Sequence, residues 1–111
     1  MLRRIGFCAL ALSLLSSTSI AGEAKVSVQL NGIGALTCAR WRSTAAARLE
    51  GTVWIFGFWS GLNYVAAASG QTQAVSEEKV VIAEVVRVCA TDPSQVLASA
   101  AWAAYLNLAE K

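Results

Sequence analysis

Cysteine is the residue type in this chain with the clearest capacity for chemistry, and it occurs at positions 8, 38 and 89. The chain contains no histidine, which excludes most metal sites, the Ser-His and Cys-His nucleophile systems and an imidazole-based pH switch. No two cysteines form a C-x-x-C pair, the arrangement typical of redox catalysts. We therefore expect the cysteines to have a structural role, and we expect no bound metal.

Carboxylates are the remaining candidates for acid–base catalysis, and their placement does not favour it. Glu77 and Glu78 are adjacent in sequence, so on a helix their side chains point in different directions. Glu84 precedes Arg87 by three residues, a spacing typical of an ion pair on the solvated face of a helix. No nucleophile is accompanied by a base. These patterns predict a protein that is not an enzyme, has no catalytic residues and needs no cofactor.

The first 21 residues have the composition of a secretory signal peptide. Arg3 and Arg4 form a short positive region, and an apolar run of 11 residues follows at 5–15. Ser19-Ile20-Ala21 matches the small-x-small pattern of a cleavage site, and Ala24 offers an alternative one. A membrane-spanning helix needs about 20 apolar residues, far more than this run provides. We expect export through the inner membrane to the periplasm, with cleavage after Ala21.

Cleavage would change both the charge and the cysteine content of the chain. It removes Arg3, Arg4 and Cys8 and leaves seven basic and seven acidic side chains. A net charge of zero predicts no nucleic-acid partner. In an exported protein the remaining pair, Cys38 and Cys89, predicts one disulfide; the alternative is two separate buried thiols. Closing a loop of this length would stabilise a small domain by roughly 4 kcal/mol.

Residues with short polar side chains indicate where the first two helices begin. Thr37 is placed to cap a short helix at about 38–42, because its hydroxyl can accept a hydrogen bond from a backbone N–H of the first turn. Ser43 and Thr44 are placed to cap a long helix at about 45–68 in the same way.

Residues 53–68 are the most apolar part of the chain after the signal peptide, and they contain no charge. A transmembrane helix is one interpretation, but its length would be marginal and Ser60 and Asn63 weaken it. Gly57 and Gly61 lie on one face of a helix and allow a second helix to approach closely. In a membrane this spacing would indicate dimerisation. We expect instead that the two glycines mark a helix crossing within one chain.

Two further helices are predicted in the C-terminal half. Ser76 is placed to cap a helix whose apolar side chains at 81–89 fall on one side. Asp92, Pro93 and Gln95 match the N-cap, the first helical residue and the capping box of a fourth helix. This fourth helix is apolar on most sides, and an exposed part of it would indicate a partner surface.

The order of these features resembles the HdeA/HdeB-type small periplasmic helical proteins. The shared elements span about residues 36–108 and are, in order, Thr37-Cys38 with Trp41, Gly57-Phe58, Gly61-Leu62-Asn63, a polar loop, Val88-Cys89-Ala90 and Asp92-Pro93. The resemblance implies a small all-α domain of four helices, with a disulfide joining the first helix region to the end of the third. It also implies a homodimer near neutral pH and an acid-stress chaperone that exposes apolar surface in acid and binds unfolded clients without ATP.

The domain organisation expected from these features has three parts. Residues 1–21 are the signal peptide. Residues 22–36 are an extended leader, because valine and leucine alternate with polar residues in its first half. Residues 37–111 are the helical domain.

Two apolar segments, 53–68 and 96–106, are candidates for a surface that binds clients or a partner. The alternative is that their large side chains form the hydrophobic core, as such residues usually do. A second functional hypothesis is an exported immunity- or inhibitor-type protein that binds one folded partner at neutral pH, whereas a holdase binds many unfolded proteins in acid. The candidate binding residues are Trp54, Phe58, Trp59, Leu62 and Trp102.

Overall fold

Four α-helices make up most of residues 27–110, the part of the chain that the computed structural model describes. The expected signal peptide and both of its cleavage positions lie outside this part. The all-α prediction is confirmed: within residues 27–110 the only β-type pairing is an isolated bridge between Thr37 and Val96. The helices are α1 (Cys38–Arg42), α2 (Ala45–Ala68), α3 (Glu78–Thr91) and α4 (Leu97–Ala109), preceded by a 3₁₀ helix (Gly32–Ala35).

Threonine caps define the starts of α1 and α2, as the sequence predicts. The Thr37 hydroxyl accepts a hydrogen bond from the Arg40 backbone N–H at 3.1 Å. The Thr44 hydroxyl accepts one from the Ala47 backbone N–H at 3.0 Å. Each hydroxyl satisfies an N–H group that has no partner inside its own helix. The first two helix starts are therefore determined by local side-chain chemistry.

The predicted cap of α3 is wrong by one residue, but its predicted buried face is confirmed. The N-cap position is Glu77 rather than Ser76, and its side chain makes no capping hydrogen bond. The helical spacing of the apolar residues, not a cap, directs this helix against its neighbours. The buried side chains of α3 are Val81, Val85, Val88 and Cys89.

The predicted start of α4 is also wrong, because the residues that match a capping box form a turn instead. Asp92 Oδ1 accepts a hydrogen bond from the Ser94 backbone N–H at 3.0 Å, a local interaction that competes with helix formation. The Pro93 and Gln95 carbonyls accept hydrogen bonds from the first N–H groups of α1, at 2.8 and 2.9 Å. These contacts keep the chain non-helical up to Val96, and α4 begins only at Leu97.

The last part of the expected extended leader is folded against α2. Gly32–Ala35 form the 3₁₀ helix, and Ile33 within it is buried. The Trp54 indole N–H donates a hydrogen bond to the Asn31 carbonyl at 2.9 Å. Gly34 lies so close to this ring that a Cβ built on it would be 2.0 Å from Trp54 Cζ2. Contact with α2 therefore overrides the extended conformation expected from the alternating pattern.

All four helices contribute to one hydrophobic core. Within the described residues no polar or charged residue is buried, so burial of apolar surface provides most of the stabilisation. The largest fully buried side chains are Trp41 of α1, Ile55 and Trp59 of α2, Val81 and Val85 of α3 and Leu97 of α4.

The predicted disulfide is confirmed and joins α1 to the end of α3. Cys38 and Cys89 are 51 residues apart in sequence, and their Cα atoms are 5.5 Å apart. A helix of five residues such as α1 is not stable in isolation. The covalent bond therefore holds a segment that would otherwise depend on its packing and on its hydrogen bonds to the Pro93 and Gln95 carbonyls.

Replacement of both Cys38 and Cys89 by serine is expected to lower the free energy of unfolding by about 2–5 kcal/mol, because the unfolded chain is no longer closed into a loop. Denaturant titration of the oxidised wild type and the double variant measures the difference. Reduction of the wild type serves as the control and should produce a comparable loss. An unchanged unfolding midpoint in both experiments would contradict the structural role of the disulfide.

Gly51 of α2 allows the Trp41 indole to lie directly against the helix. A Cβ built on Gly51 would be 2.1 Å from Trp41 Cδ1 and 2.6 Å from its Nε1. The indole is also tethered, because its N–H donates a hydrogen bond to the Arg48 carbonyl at 3.1 Å. A larger residue at position 51 would therefore displace the fully buried Trp41.

The substitution Gly51→Ala is expected to destabilise the protein by about 1–3 kcal/mol, the usual cost of overpacking a core. Gly57→Ala is the matched control in the same helix, since a Cβ there meets nothing within 4 Å. It should stabilise the protein by about 1 kcal/mol, because alanine has the higher helix propensity. Thermal and denaturant unfolding of both variants measure these changes in stability. Equal changes for the two substitutions would refute the contact between Gly51 and Trp41.

Candidate functional site

One side of α2 is apolar and faces solvent. Four large side chains on this side are exposed: Leu49 by 68%, Val53 by 64%, Tyr64 by 79% and Val65 by 63%. Smaller residues lie between and beside them at helical spacing, and all of these are exposed too. We call this surface the α2 outward face; its members are Leu49, Val53, Gly57, Ser60, Gly61, Tyr64, Val65 and Ala68. The exposed Glu50 lies at its N-terminal end, on the same side of the helix.

The opposite side of α2 faces the core, and it is apolar as well. Its buried residues are spaced so that they lie on the far side of the helix from the outward face. A helix that is apolar all round is normally covered on all sides. Among residues 27–110, the core covers only one side of α2. The buried residues are Gly51, Ile55, Trp59 and Ala66.

Within residues 27–110 no helix crosses α2 at Gly57 and Gly61, contrary to expectation. Both glycines are exposed, and a Cβ built on either would have no neighbour within 4 Å. The prediction fails because Gly57 and Gly61 fall on the side of α2 opposite the buried residues Ile55 and Trp59. The two glycines instead form a shallow hollow halfway along the α2 outward face.

Helix α2 is the candidate for a membrane span, because it is the longest helix and its residues 51–68 are uncharged. Among residues 27–110, no helix combines the length and the apolar character that crossing a bilayer requires. Ser60, Asn63 and the charged residues Arg48 and Glu50 near its start lower the mean hydropathy of α2.

Three of the five candidate binding residues form a half-buried flank of α2 rather than an open surface. Trp54 and Phe58 stack with ring centroids 5.0 Å apart, and Trp54 is also held by its hydrogen bond to the Asn31 carbonyl. Leu62 is half-buried next along the same flank. These side chains pack against the core, so only their outer edges are available for binding.

The other two candidate residues, Trp59 and Trp102, have opposite environments. Trp59 is fully buried, contacts the Tyr105 ring edge-on at 5.0 Å between centroids, and donates its indole N–H to the Val75 carbonyl at 2.9 Å. Trp59 is therefore a core residue in the folded protein. Trp102 of α4 is 46% exposed, and its ring stacks on the Tyr105 ring at 6.0 Å between centroids.

Side-chain hydrogen bonds fasten the link between α2 and α3 to the core. The Tyr105 hydroxyl donates to Asn63 Oδ1 at 2.8 Å and accepts from the Ala74 backbone N–H at 3.4 Å. Asn63 Nδ2 in turn donates to the Ala74 carbonyl at 3.4 Å. Every polar atom in this cluster has a partner, which indicates a structural role rather than a reactive site.

Charged groups form one small network, on α3 and α4. Arg87 donates to both carboxylate oxygens of Glu84, and Asn107 Nδ2 donates to Glu84 Oε1 at 3.1 Å. The Glu84 carboxylate raises the pKa of the Arg87 guanidinium, chiefly by accepting its hydrogen bonds and then by its charge. The predicted Glu84–Arg87 pair is confirmed. Within residues 27–110 no group of three His, Cys, Asp or Glu side chains is placed to hold a metal ion.

The exposed large residues of α2 were not among the sequence-derived candidates. Val53, Tyr64 and Val65 lie in the apolar run 53–68, from which the prediction selected Trp54, Phe58, Trp59 and Leu62 instead. Leu49 lies before this run. The sequence signal that could have indicated these residues is that α2 is apolar around its whole circumference. That pattern predicts a second apolar surface, but it does not identify which side is covered by the core.

Comparison of the chain with protein-family models, with curated proteins and with solved structures finds no match in any of the three. The resemblance to HdeA/HdeB-type proteins therefore stays a prediction from short motifs and from the order of helices.

Replacement of Tyr105 by phenylalanine is expected to destabilise the protein by about 1–3 kcal/mol, because the partly buried Asn63 Oδ1 and Ala74 N–H lose their shared partner. Tyr64→Phe is the matched control, since the Tyr64 side chain is mostly exposed, and it should leave stability unchanged. Thermal unfolding compares the two variants, and amide hydrogen exchange should become faster at Ala74 in Tyr105→Phe alone. Identical stabilities would mean that the hydroxyl does not anchor the link.

Proposed function

We propose that this chain is a periplasmic protein without enzymatic activity that binds apolar segments of unfolded proteins on its α2 outward face, without ATP. The observation that carries the proposal is the exposure of four large apolar side chains along one side of a single helix. Contiguous apolar patches on small monomeric proteins commonly mark interaction sites. The resemblance to HdeA/HdeB-type chaperones supports the same class of function.

The chemistry of the α2 outward face suits unfolded clients. Between Glu50 and the end of the helix the face contains no charged residue, so it imposes little electrostatic selection on the segments it contacts. An amphipathic or extended apolar segment can bury surface against it. The proposed clients are therefore defined by exposed apolar side chains rather than by a sequence motif.

Acidification would change the net charge of the whole chain rather than the charge of the α2 outward face. Complete protonation of the seven carboxylates in residues 22–111 would change the net charge from zero to about +7, which favours expansion through self-repulsion. No carboxylate is buried within the described residues, so no single buried acid is available as a trigger. The α2 outward face itself has no acidic group after Glu50, and its binding capacity is proposed to be present at both neutral and acidic pH.

A second function, binding of one folded partner as in immunity- or inhibitor-type proteins, is favoured by the rigidity of the same surface. The face lies on a regular helix of 24 residues whose other side is anchored in the core, and the hollow at Gly57 and Gly61 gives it a defined shape. Preorganised surfaces of this kind suit recognition of one complementary shape. The first function binds unfolded proteins, whereas the second binds one folded protein.

The first test measures light scattering of an aggregating client with and without the oxidised chain, from pH 7 down to pH 2. The wild type should suppress aggregation, and Val53→Lys should suppress it several-fold less well, because a charge is placed within the apolar surface at every pH. Val28→Lys is the matched control, since Val28 has a similar exposure, 61% against 64%, but lies outside the helices. It should behave as the wild type.

The outcomes separate the two functions. Equal suppression by Val53→Lys and the wild type would exclude the α2 outward face as the client site. Absence of suppression at every pH would exclude the holdase function. Capture of one folded protein at pH 7, lost in Val53→Lys and retained in Val28→Lys, would then establish the second function.

A further inference from the structure

We propose that the α2 outward face docks an apolar segment of its own chain, residues 3–15, for as long as that segment is attached, and that its removal uncovers the face. Residues 3–15 belong to the expected signal peptide and lie outside the described residues. The inference rests on the proposed function, because it uses the same surface and names what keeps that surface from its clients. Its support is the charge and length of the segment, the point where the described chain begins, and the hollow at the two glycines.

The segment and the face are complementary in charge. The segment consists of Arg3 and Arg4 followed by the apolar run at 5–15. The face has the exposed Glu50 at its N-terminal end and no charged residue beyond it. Glu50 takes part in no ion pair within residues 27–110, so its carboxylate is available to a cation. When the segment lies parallel to α2, its two arginines come beside this carboxylate while its apolar run follows the uncharged part of the face.

The apolar run is long enough to cover the large side chains of the face. Val53 and Val65 are 12 residues apart on α2, which corresponds to about 18 Å along the helix axis. The run has 11 residues, which span about 16 Å as an α-helix and more than 30 Å as a strand. In either conformation it reaches along most of the face, and it removes from water the apolar side chains that are otherwise exposed.

Gly57 and Gly61 leave room for the docked segment. A Cβ built on either glycine meets nothing within 4 Å, so packing among the described residues requires neither of them. Glycine within a helix is less favourable than alanine. Because these two positions lack side chains, a second stretch of backbone can approach α2 closely in the middle of the face. Docking of the segment thus gives both glycines a physical role.

The described chain begins beside the face. The Asn31 carbonyl, just before the 3₁₀ helix, accepts a hydrogen bond from the Trp54 indole at 2.9 Å, and Trp54 follows the face residue Val53 in sequence. The 15 residues at 16–30 span up to about 50 Å when fully extended, whereas the 24 residues of α2 are about 36 Å long. Residues 3–15 can therefore reach every part of the face.

The covalent connection favours this occupant over free ones. A segment on the same chain is present at an effective concentration in the millimolar range, so even a weak contact with the face is occupied most of the time. A free client at micromolar concentration competes poorly with it. Client binding is therefore expected to be suppressed in the uncleaved chain and to appear when cleavage after Ala21 removes the segment.

Cross-linking through Cys8, which lies inside the docked segment, tests the contact. The full chain is purified without export so that the segment is retained. Ser60→Cys places a thiol on the α2 outward face, and oxidation at low protein concentration should link it to Cys8 of the same chain. Ser99→Cys is the matched control, since Ser99 is exposed too but lies on α4, and it should give no more than about a tenth of the linked product. Mass mapping of non-reduced peptides measures the yields, and equal yields from the two variants would overturn the docking.

Charge exchange tests the parallel placement of the segment. Glu50→Lys should lower the yield of the link from Ser60→Cys about threefold, the effect of one exposed ion pair. Replacement of both Arg3 and Arg4 by glutamate should restore the yield in the Glu50→Lys chain. A yield that Glu50→Lys leaves unchanged would overturn the pairing of the two arginines with Glu50.

Aggregation assays on the full chain test the consequence for client binding. Leu12→Asp places a charge within the apolar run, so it should free the face and suppress client aggregation several-fold better than the unaltered full chain does. Ser17→Asp is the matched control: it adds the same charge outside the run and should behave as the unaltered chain. Client binding that is equally strong in all three full chains would overturn the covering of the face.

The failure of this inference and that of the proposed function give different results. If the chain suppresses aggregation and Val53→Lys does not, but Ser60→Cys links to Cys8 no better than Ser99→Cys does, the docking fails and the client site stands. If Ser60→Cys links preferentially, but no client is bound at any pH after removal of the segment, the docking stands and the holdase function fails.

Discussion

The structure depends on the attachment of α1 to the link between α3 and α4. Backbone hydrogen bonds run from the N–H groups of Cys38 and Ala39 to carbonyls of that link, and from the Leu97 N–H to the Leu36 carbonyl at 2.8 Å. The Cys38–Cys89 disulfide closes the same junction covalently. N–H groups at a helix start have no partners within the helix, so the link supplies partners that a five-residue helix needs. The start of α4 is displaced to Leu97 for the same reason.

This junction positions Trp41, and Trp41 in turn positions α2. The Trp41 indole lies against Gly51 and bonds to the Arg48 carbonyl, so the first turns of α2 are held by α1. Further along, Trp59 and Asn63 attach α2 to Tyr105 of α4 and to the link that follows. These anchors all lie on one side of the helix. The other side of α2 is exposed within the described part of the chain, and its apolar side chains form the α2 outward face.

The functional proposals follow from this one-sided packing. A chain that buries one side of its most apolar helix gains core stability, and exposure of the other side has a solvation cost unless something covers it. We propose that apolar segments of unfolded clients cover it, with no chemical step and no bound nucleotide.

The four helices, the disulfide pair and the caps at Thr37 and Thr44 could be predicted from the sequence, because each depends on local spacing or on residue type. It did not determine the start of α4, since the capping-box pattern at Asp92 was overridden by hydrogen bonds to α1. Nor could it show which side of α2 meets the core: periodicity distinguishes apolar from polar sides, and α2 is apolar on both. Only the tertiary structure placed Trp59 in the core, left Trp102 half-exposed, and turned Gly57 and Gly61 toward solvent. Four of the five candidate binding residues therefore share α2 with the α2 outward face but are different side chains from its exposed members, because exposure is a property of the packed domain and not of any one segment.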